Sequence, residues 1–296
     1  MASHAVNYRG ILAMIGACAC FSANDAATKL AAEYLPVSQI VFTRAVFALG
    51  LALLIVLWRR EAAALPGIRN PYLMLRAFIE AVTGVLIIFA LSRMPIANLT
   101  AILLVQPFIM TVIGATILKE KVGWRRWTAV AAGFAGMLLV MQPGTDGFNE
   151  VSLLVLLGAC LALTRDLLVR KIGAEVPTTV ISFSTALFAV PVGLLGMTVE
   201  VWETPPAFPM IAIAVSAAFL VLAFILTVIA FRGTDVSAVS PFRYSIVVFA
   251  MIFGLIVFGE MPDGISLLGI GIIVAAGVYM LHRETARRRQ EAAAQS

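Results

Sequence analysis

Four arginines and three acids lie inside stretches that are otherwise apolar: Arg44, Arg76, Arg165 and Arg243, with Asp25, Glu80 and Asp166. A charge at the centre of an apolar helix in a bilayer costs about 2.5–3.5 kcal/mol even on the lenient insertion scale, so each of these residues marks either function or a tight pairing. A guanidinium cannot shed its proton there and has to face an anion, which is either a protein carboxylate or a bound solute. Arg44 and Arg243 each sit about seven residues into their stretches, on the order of 10 Å deep at about 1.5 Å per residue. They enter from opposite sides, which is expected to bring both near the midplane. Three acids against four arginines predict one guanidinium available to an anionic group of a solute.

Spacing narrows the pairings. Arg76 and Glu80 stand four apart on one helical face, which predicts an internal ion pair, whereas the adjacent Arg165 and Asp166 point in different directions and have to find partners elsewhere. Arg76 and Arg165 also lie close enough to span ends for the alternative of snorkelling toward headgroups. Two roles stand side by side for Glu80: structural partner of Arg76, or proton carrier. For Arg44 they are solute anchor and interhelical salt bridge. Tyr244 beside Arg243 and Phe42 near Arg44 offer a hydroxyl and ring faces to a solute, and Asn24 and Gln106 add polar groups. The candidate solute contacts are therefore Arg44, Arg243, Tyr244, Asn24, Gln106 and Phe42. The candidate coupling or ion-pair residues are Glu80, Arg76, Asp166, Arg165 and Asp25. Glu120 and Glu260 fall at helix ends, where capping or tethering a loop is favoured over catalysis.

Such residues need long apolar elements to hold them. The chain is 61% hydrophobic and 12% charged, with a mean hydropathy of +1.01, a composition that fits a polytopic membrane protein. Ten runs are expected to cross: 10–31, 37–58, 72–92, 96–118, 124–141, 152–169, 178–198, 208–231, 236–258 and 265–282. Each is near the roughly 17–25 residues of a crossing helix, and their continuity excludes the alternating pattern of barrel strands. Basic residues crowd the loops on one side (Arg59, Arg60, Arg69, Lys119, Lys121, Arg125, Arg126, Arg170, Lys171, Arg232), while the other side has Lys29 and Arg93, which places both termini in the cytoplasm. The net charge of +5 is therefore topology and not a nucleic-acid footprint. The cluster from Arg283 to Arg289 suits anionic lipid. Trp58, Trp124, Trp127 and Trp202 suit the interfacial belt, and Gly133, Gly136, Gly269 and Gly271 suit close helix contacts. Cys18, Cys20 and Cys160 have neither disulfide nor metal spacing. The N-terminal run, with sparse charge (His4, Arg9) and no small-residue cleavage site, is expected to be kept as the first helix.

The chain also repeats itself. Ile96 to Glu120 and Val236 to Glu260 each carry a proline (Pro107, Pro241), a glycine (Gly114, Gly254) and a closing acid. Gly16-Ala17-Cys18 returns as Gly158-Ala159-Cys160, and Pro36 with Phe42 returns as Pro177 with Phe183. Two copies of five spans follow, over 9–142 and 151–283, with a cytoplasmic tail at 284–296. Five is odd, so the copies are inverted, a layout that permits alternating access. The prolines interrupt their helices and free backbone groups in a medium without water.

Several short motifs recur in a familiar order: Phe21 to Lys29 (FSANDAATK), Phe42-Thr43-Arg44, Gln106-Pro107 followed by Lys119 to Trp127 (KEKVGWRRW), Gly133-Phe134-Ala135-Gly136 with Pro143-Gly144, Pro241-Phe242-Arg243-Tyr244, and Phe258-Gly259-Glu260. Through them the chain, over residues 9 to 283, resembles the EamA-type members of the drug/metabolite transporter superfamily. The resemblance implies ten helices in two five-helix repeats and transport of small metabolites as different as amino acids, S-adenosylmethionine and riboflavin, so it leaves the solute open. Lys119 departs from the pattern, since the first repeat of the family often has glycine there, as Gly259 is in the second.

Enzymatic chemistry finds no footing. The two histidines, His4 and His282, lie near the chain ends, which excludes a His-built metal site or a Ser-His-Asp triad, and no glycine-rich phosphate loop precedes a lysine. The chain is expected to be no enzyme, to need no cofactor or metal, to bind no nucleic acid, and to work in the bacterial inner membrane as a monomer or homodimer in contact with lipid. The expected activity is secondary transport of a small polar metabolite, amino-acid-like or anionic, by alternating access driven by protons or exchange. A facilitator of the same solute, or a membrane-embedded lipid scramblase or enzyme, are the alternatives.

Overall fold

The computed structural model describes residues 4–116, 119, 123–144, 149–169, 171–172, 176–231 and 239–293. Glu120 falls outside them, as do the side chains beyond Arg283. Eleven α-helices carry the described chain and no strand occurs among its described residues: α1 (His4–Ala32), α2 (Val37–Trp58), α3 (Pro71–Leu91), α4 (Ile96–Leu103), α5 (Gln106–Thr116), α6 (Trp124–Met141), α7 (Val151–Val169), α8 (Thr178–Leu195), α9 (Ala207–Phe231), α10 (Ser245–Phe258) and α11 (Gly264–Ala293). Short 3-10 turns add Ala62–Arg69, Gly196–Thr198 and Ser240–Tyr244. Lipid offers no partner to backbone N–H and C=O, so each apolar run closes its own hydrogen-bond ladder as a helix. The architecture is all-α, with ten spans in two inverted five-helix repeats. Among the described residues nine stretches are long and apolar enough to cross a membrane. The tenth span, α6, opens on Trp124-Arg125-Arg126-Trp127, and its two arginines dilute its hydropathy. α11 runs on to Ala293, so most of the segment expected as a tail is helical.

Both proline interruptions are present. The run from Ile96 breaks at Leu104 and Val105, and α5 starts at Gln106 with Pro107, whose ring removes a donor. The backbone recovers locally: the N–H groups of Phe108 and Ile109 donate to the Val105 carbonyl at 2.9 and 3.1 Å, and the Thr111 hydroxyl donates to the Pro107 carbonyl at 3.0 Å. In the second repeat Pro241 sits in the 3-10 turn that leads into α10. There α1 supplies the partners, Cys18 Sγ donating to the Arg243 carbonyl at 3.4 Å and Ser22 Oγ, one turn on, to the Ile246 carbonyl at 3.1 Å.

The helices gather into two compact units that do not follow the repeat boundary, since each draws on both halves of the chain. Unit 1 holds residues 1–26, 94–152 and 219–296; unit 2 holds 27–93 and 153–218. In unit 1, α6 packs along α11 and α4 against α10. Gly136 and Gly269 let the α6 and α11 backbones touch: a Cβ on Gly136 would stand 2.8 Å from the Gly269 carbonyl oxygen, and one on Gly269 would stand 2.5 Å from that of Gly136. Gly133 receives the fully buried Phe108 ring. Gly271, expected to behave like Gly269, has nothing within 4 Å and faces outward. In unit 2, α8 packs on both α2 and α3, and a buried cluster that includes Ala31, Ile40, Val41, Ile88 and Ile213 joins α1, α2, α3 and α9.

Asp263 joins the ends of α6 and α11 within unit 1. Its Oδ1 accepts the Ser266 N–H at 2.6 Å, capping α11, and its Oδ2 accepts the Gln142 side-chain N–H at 2.6 Å, from the left-handed residue (φ 49) that ends α6. The Ser266 amide first, and the Gln142 amide second, hold the Asp263 carboxyl below its usual range. A depressed carboxyl contributes stability that is complete above its unfolded value and is lost as the pH falls through the folded one. Asp263→Ala is therefore expected to cost about 1 kcal/mol at neutral pH, the usual magnitude for a lost N-cap. The gap from the parent protein should narrow in thermal unfolding as the pH drops below about 4. A gap independent of pH would show that the carboxylate is not what caps α11.

Candidate functional site

Charged residues of unit 2 meet from two helices, α3 and α7, and a third, α8, adds a hydroxyl. Arg165 on α7 pairs with Glu80 on α3 and, through Nε, with Asp166 at 2.9 Å. The side chains of Arg165 and Glu80 are 23% and 28% exposed, and that of Asp166 57%. Arg76, one turn before Glu80, donates through Nη1 to Thr185 Oγ1 on α8 at 2.8 Å, and its Nε is buried without a hydrogen-bond partner. Three expectations change. Glu80 turns to Arg165 on the neighbouring helix and not to Arg76 on its own, because the α3–α7 approach brings a second guanidinium closer than the intrahelical one. Arg165 does bond its neighbour Asp166, since its long stem folds back along the helix whatever the direction of its Cβ. Neither Arg76 nor Arg165 snorkels; both reach sideways into hydrogen bonds with neighbouring helices.

The start of α2 is bound to the segment that follows α8. Glu200 accepts the Ser38 N–H at 2.8 Å, an anion at a helix N-terminus where the dipole favours it. Trp202 Nε1 donates to Ser38 Oγ at 2.8 Å, and Gln39 Nε2 donates to the Glu203 carbonyl at 2.7 Å. Phe42 lies against the Trp202 ring, with centroids 5.1 Å apart, and its backbone lies on Gly193, where a Cβ would come within 2.7 Å of the Phe42 nitrogen. Trp202 is thus a packed residue of unit 2, unlike the exposed Trp58, Trp124 and Trp127. Arg44 follows on the same helix, half-buried.

In unit 1, Asn24 on α1 is buried and donates through Nδ2 to Asp25 Oδ1 at 2.9 Å. Gln106 is half-buried at the start of α5 and Arg243 is exposed on the 3-10 turn. Tyr244 is buried at 5% exposure with no hydrogen-bond partner for its hydroxyl. The hydroxyl lies on Gly277, where a Cβ would stand 1.9 Å away. The expected solute contacts therefore divide between the units, Arg44 and Phe42 in unit 2 and Asn24, Gln106, Arg243 and Tyr244 in unit 1.

Thr185, Glu200, Glu203 and Ser22 escaped the sequence. A signal for Thr185 existed: the offset that carries Pro36 and Phe42 onto Pro177 and Phe183 carries Arg44 onto Thr185, so a polar group occupies related positions in both repeats. Glu200 and Glu203 lie in a loop, where no periodicity announces a partner.

Comparison with known proteins fits this architecture. The EamA-like transporter family matches twice, over residues 8–142 and 150–282. An S-adenosylmethionine uptake transporter of Rickettsia felis is 26% identical over 272 residues, 89% of each chain. A riboflavin transporter of Vibrio cholerae is 30% identical over 221 residues, 74% of each chain. A pseudopaline exporter of Pseudomonas aeruginosa is 25% identical over 280 residues, 92% of this chain and 95% of that one. A solved structure matched over 93% of this chain and 98% of its own, at a TM-score of 0.62 and 18% identity, shares the fold.

Proposed function

Because this chain belongs to the EamA-like transporter family and is a multi-pass membrane transporter of small metabolites, we propose that it moves a polar metabolite bearing an anionic group by alternating access, driven by protons or by exchange. The repeats at 9–142 and 151–283 supply the two packings that such a cycle needs. Both termini lie in the cytoplasm and the tail beyond 283 faces anionic lipid. Within unit 2 the anion contact is Arg44, with Phe42 on the same helix; within unit 1 it is Arg243, with Asn24 and Gln106 as hydrogen-bonding groups for the solute. One observation supports coupling above others: Glu80 is bonded to Arg165 between two helices inside the spans. A proton taken up by Glu80 removes the charge that holds that pair, and a pair that breaks on protonation links proton binding to helix movement. Asp166 keeps Arg165 partly balanced in the meantime.

Uptake into vesicles containing the purified protein tests this proposal, with S-adenosylmethionine, whose carboxylate supplies the anionic group, as the probe, riboflavin, which has no anionic group, as the comparison, and an imposed pH gradient. Accumulation above the equilibrium level that collapses with the gradient is expected for the parent protein, and Glu80→Gln should equilibrate the probe without accumulating it. Accumulation by Glu80→Gln that still follows the gradient removes Glu80 from the coupling role. A parent protein that only equilibrates its probe favours the facilitator.

A further inference from the structure

We infer that Arg76 is an anion-binding group, offering the Nε–Nη2 edge of its guanidinium to a carboxylate or phosphate of the solute; the inference rests on the transport function proposed above. Within the spans of unit 2 both acids, Glu80 and Asp166, are bonded to Arg165. Arg76 is held instead by a neutral group. Its Nη1 donates to Thr185 Oγ1 at 2.8 Å, and the Thr185 hydroxyl itself donates to the Ile181 carbonyl at 3.1 Å, which fixes the lone pair presented to Arg76. A neutral acceptor sets the direction of a guanidinium and brings no charge of its own; Glu80 and Asp166 act on Arg76 through space, while their bonds go to Arg165. With Nη1 occupied, the remaining edge is the parallel pair of N–H donors on Nε and Nη2, the fork that matches carboxylate and phosphate oxygens two at a time.

The Nε atom is buried with no acceptor. A charge-assisted donor left in that condition costs more than an unmade neutral hydrogen bond, and a purely structural arginine would be expected to fill it. Arg76 stands five residues into α3, about 8 Å along the helix at about 1.5 Å per residue, and its guanidinium is engaged sideways by Thr185 on α8. Of the Nε–Nη2 edge, Nε is the buried member, on a side chain that is half-buried as a whole.

Thermal unfolding of the full chain tests this, with acetate and inorganic phosphate as probes and acetamide as the neutral control, at constant ionic strength. The parent protein is expected to rise in midpoint with both anions and not with acetamide. Arg76→Gln should lose the part of the rise specific to the anions, and Arg76→Lys, which keeps the charge without the fork, should keep only a fraction. Equal shifts in the parent and Arg76→Gln, zero included, overturn the inference. A second readout needs no ligand: Arg76→Met should unfold at or above the parent midpoint, because it removes a half-buried charge that no carboxylate bonds, while a fall as large as that of Arg165→Met overturns the assignment. Metabolite flux is read separately. An Arg76-dependent anion shift without flux of either metabolite probe would sink the transport proposal and leave the anion site standing, and flux with equal anion shifts would do the reverse.

Discussion

Glu80→Ala is expected to destabilise the protein by about 2–3 kcal/mol, below the usual range for breaking a buried ion pair because both partners keep some access to solvent. Its loss leaves Arg165 on Asp166 alone, whose side chain is more than half exposed. Asp166→Ala should cost less than about 1 kcal/mol, the usual limit for a solvated pair. The pairing of Glu80 with Arg165 predicts more than an order of costs. Arg165→Leu alone strands the Glu80 carboxylate between α3 and α7, whereas Glu80→Leu with Arg165→Leu replaces both charges by side chains that pack, a change that is commonly near neutral. A double-mutant cycle read by unfolding in mixed micelles should therefore show strong positive coupling between these two positions and little between Arg76 and Glu80. Coupling of the opposite order would restore the intrahelical pair. Because the double variant retains the fold and lacks the proton site, it is also expected to lose gradient-driven accumulation while keeping a parent-like midpoint, which separates coupling from stability.

The spans were legible because lipid makes hydropathy and helix nearly synonymous, and the two helix interruptions were legible because proline lacks an N–H. Pairing between helices was not. The rule that residues four apart share a face identified Arg76 and Glu80 as neighbours, yet it carries nothing about Arg165, which comes from another helix and wins the carboxylate. Adjacency likewise separates the Cβ directions of Arg165 and Asp166 but says little about the far end of a stem as long as arginine's. Trp202 shows the same limit from the aromatic side. A tryptophan at a span end fits the interfacial belt, and only the hydroxyl of Ser38 and the ring of Phe42 turn it into a packed residue.

Glycines give the sharpest case, and with it a prediction of opposite signs two residues apart. Gly269 and Gly271 look alike in sequence, both small residues in an apolar helix. Gly269→Ala is expected to destabilise by about 3 kcal/mol, the upper end of overpacking, because its Cβ would stand 2.5 Å from the Gly136 carbonyl oxygen. Backbone cannot change rotamer, so α6 and α11 would have to separate along the contact that joins them. Gly271→Ala meets nothing within 4 Å and should be neutral or stabilise by up to about 1 kcal/mol through helix propensity. Gly133→Ala is an intermediate case: the obstacle is the Phe108 ring, so Phe108→Ala should recover part of its loss, whereas no side-chain substitution recovers Gly269→Ala. Unfolding midpoints of these variants in one detergent decide the matter. Equal effects at Gly269 and Gly271, or rescue of Gly269→Ala by trimming Leu139 or Val140, would mean that the α6–α11 contact is made by side chains and not by backbone.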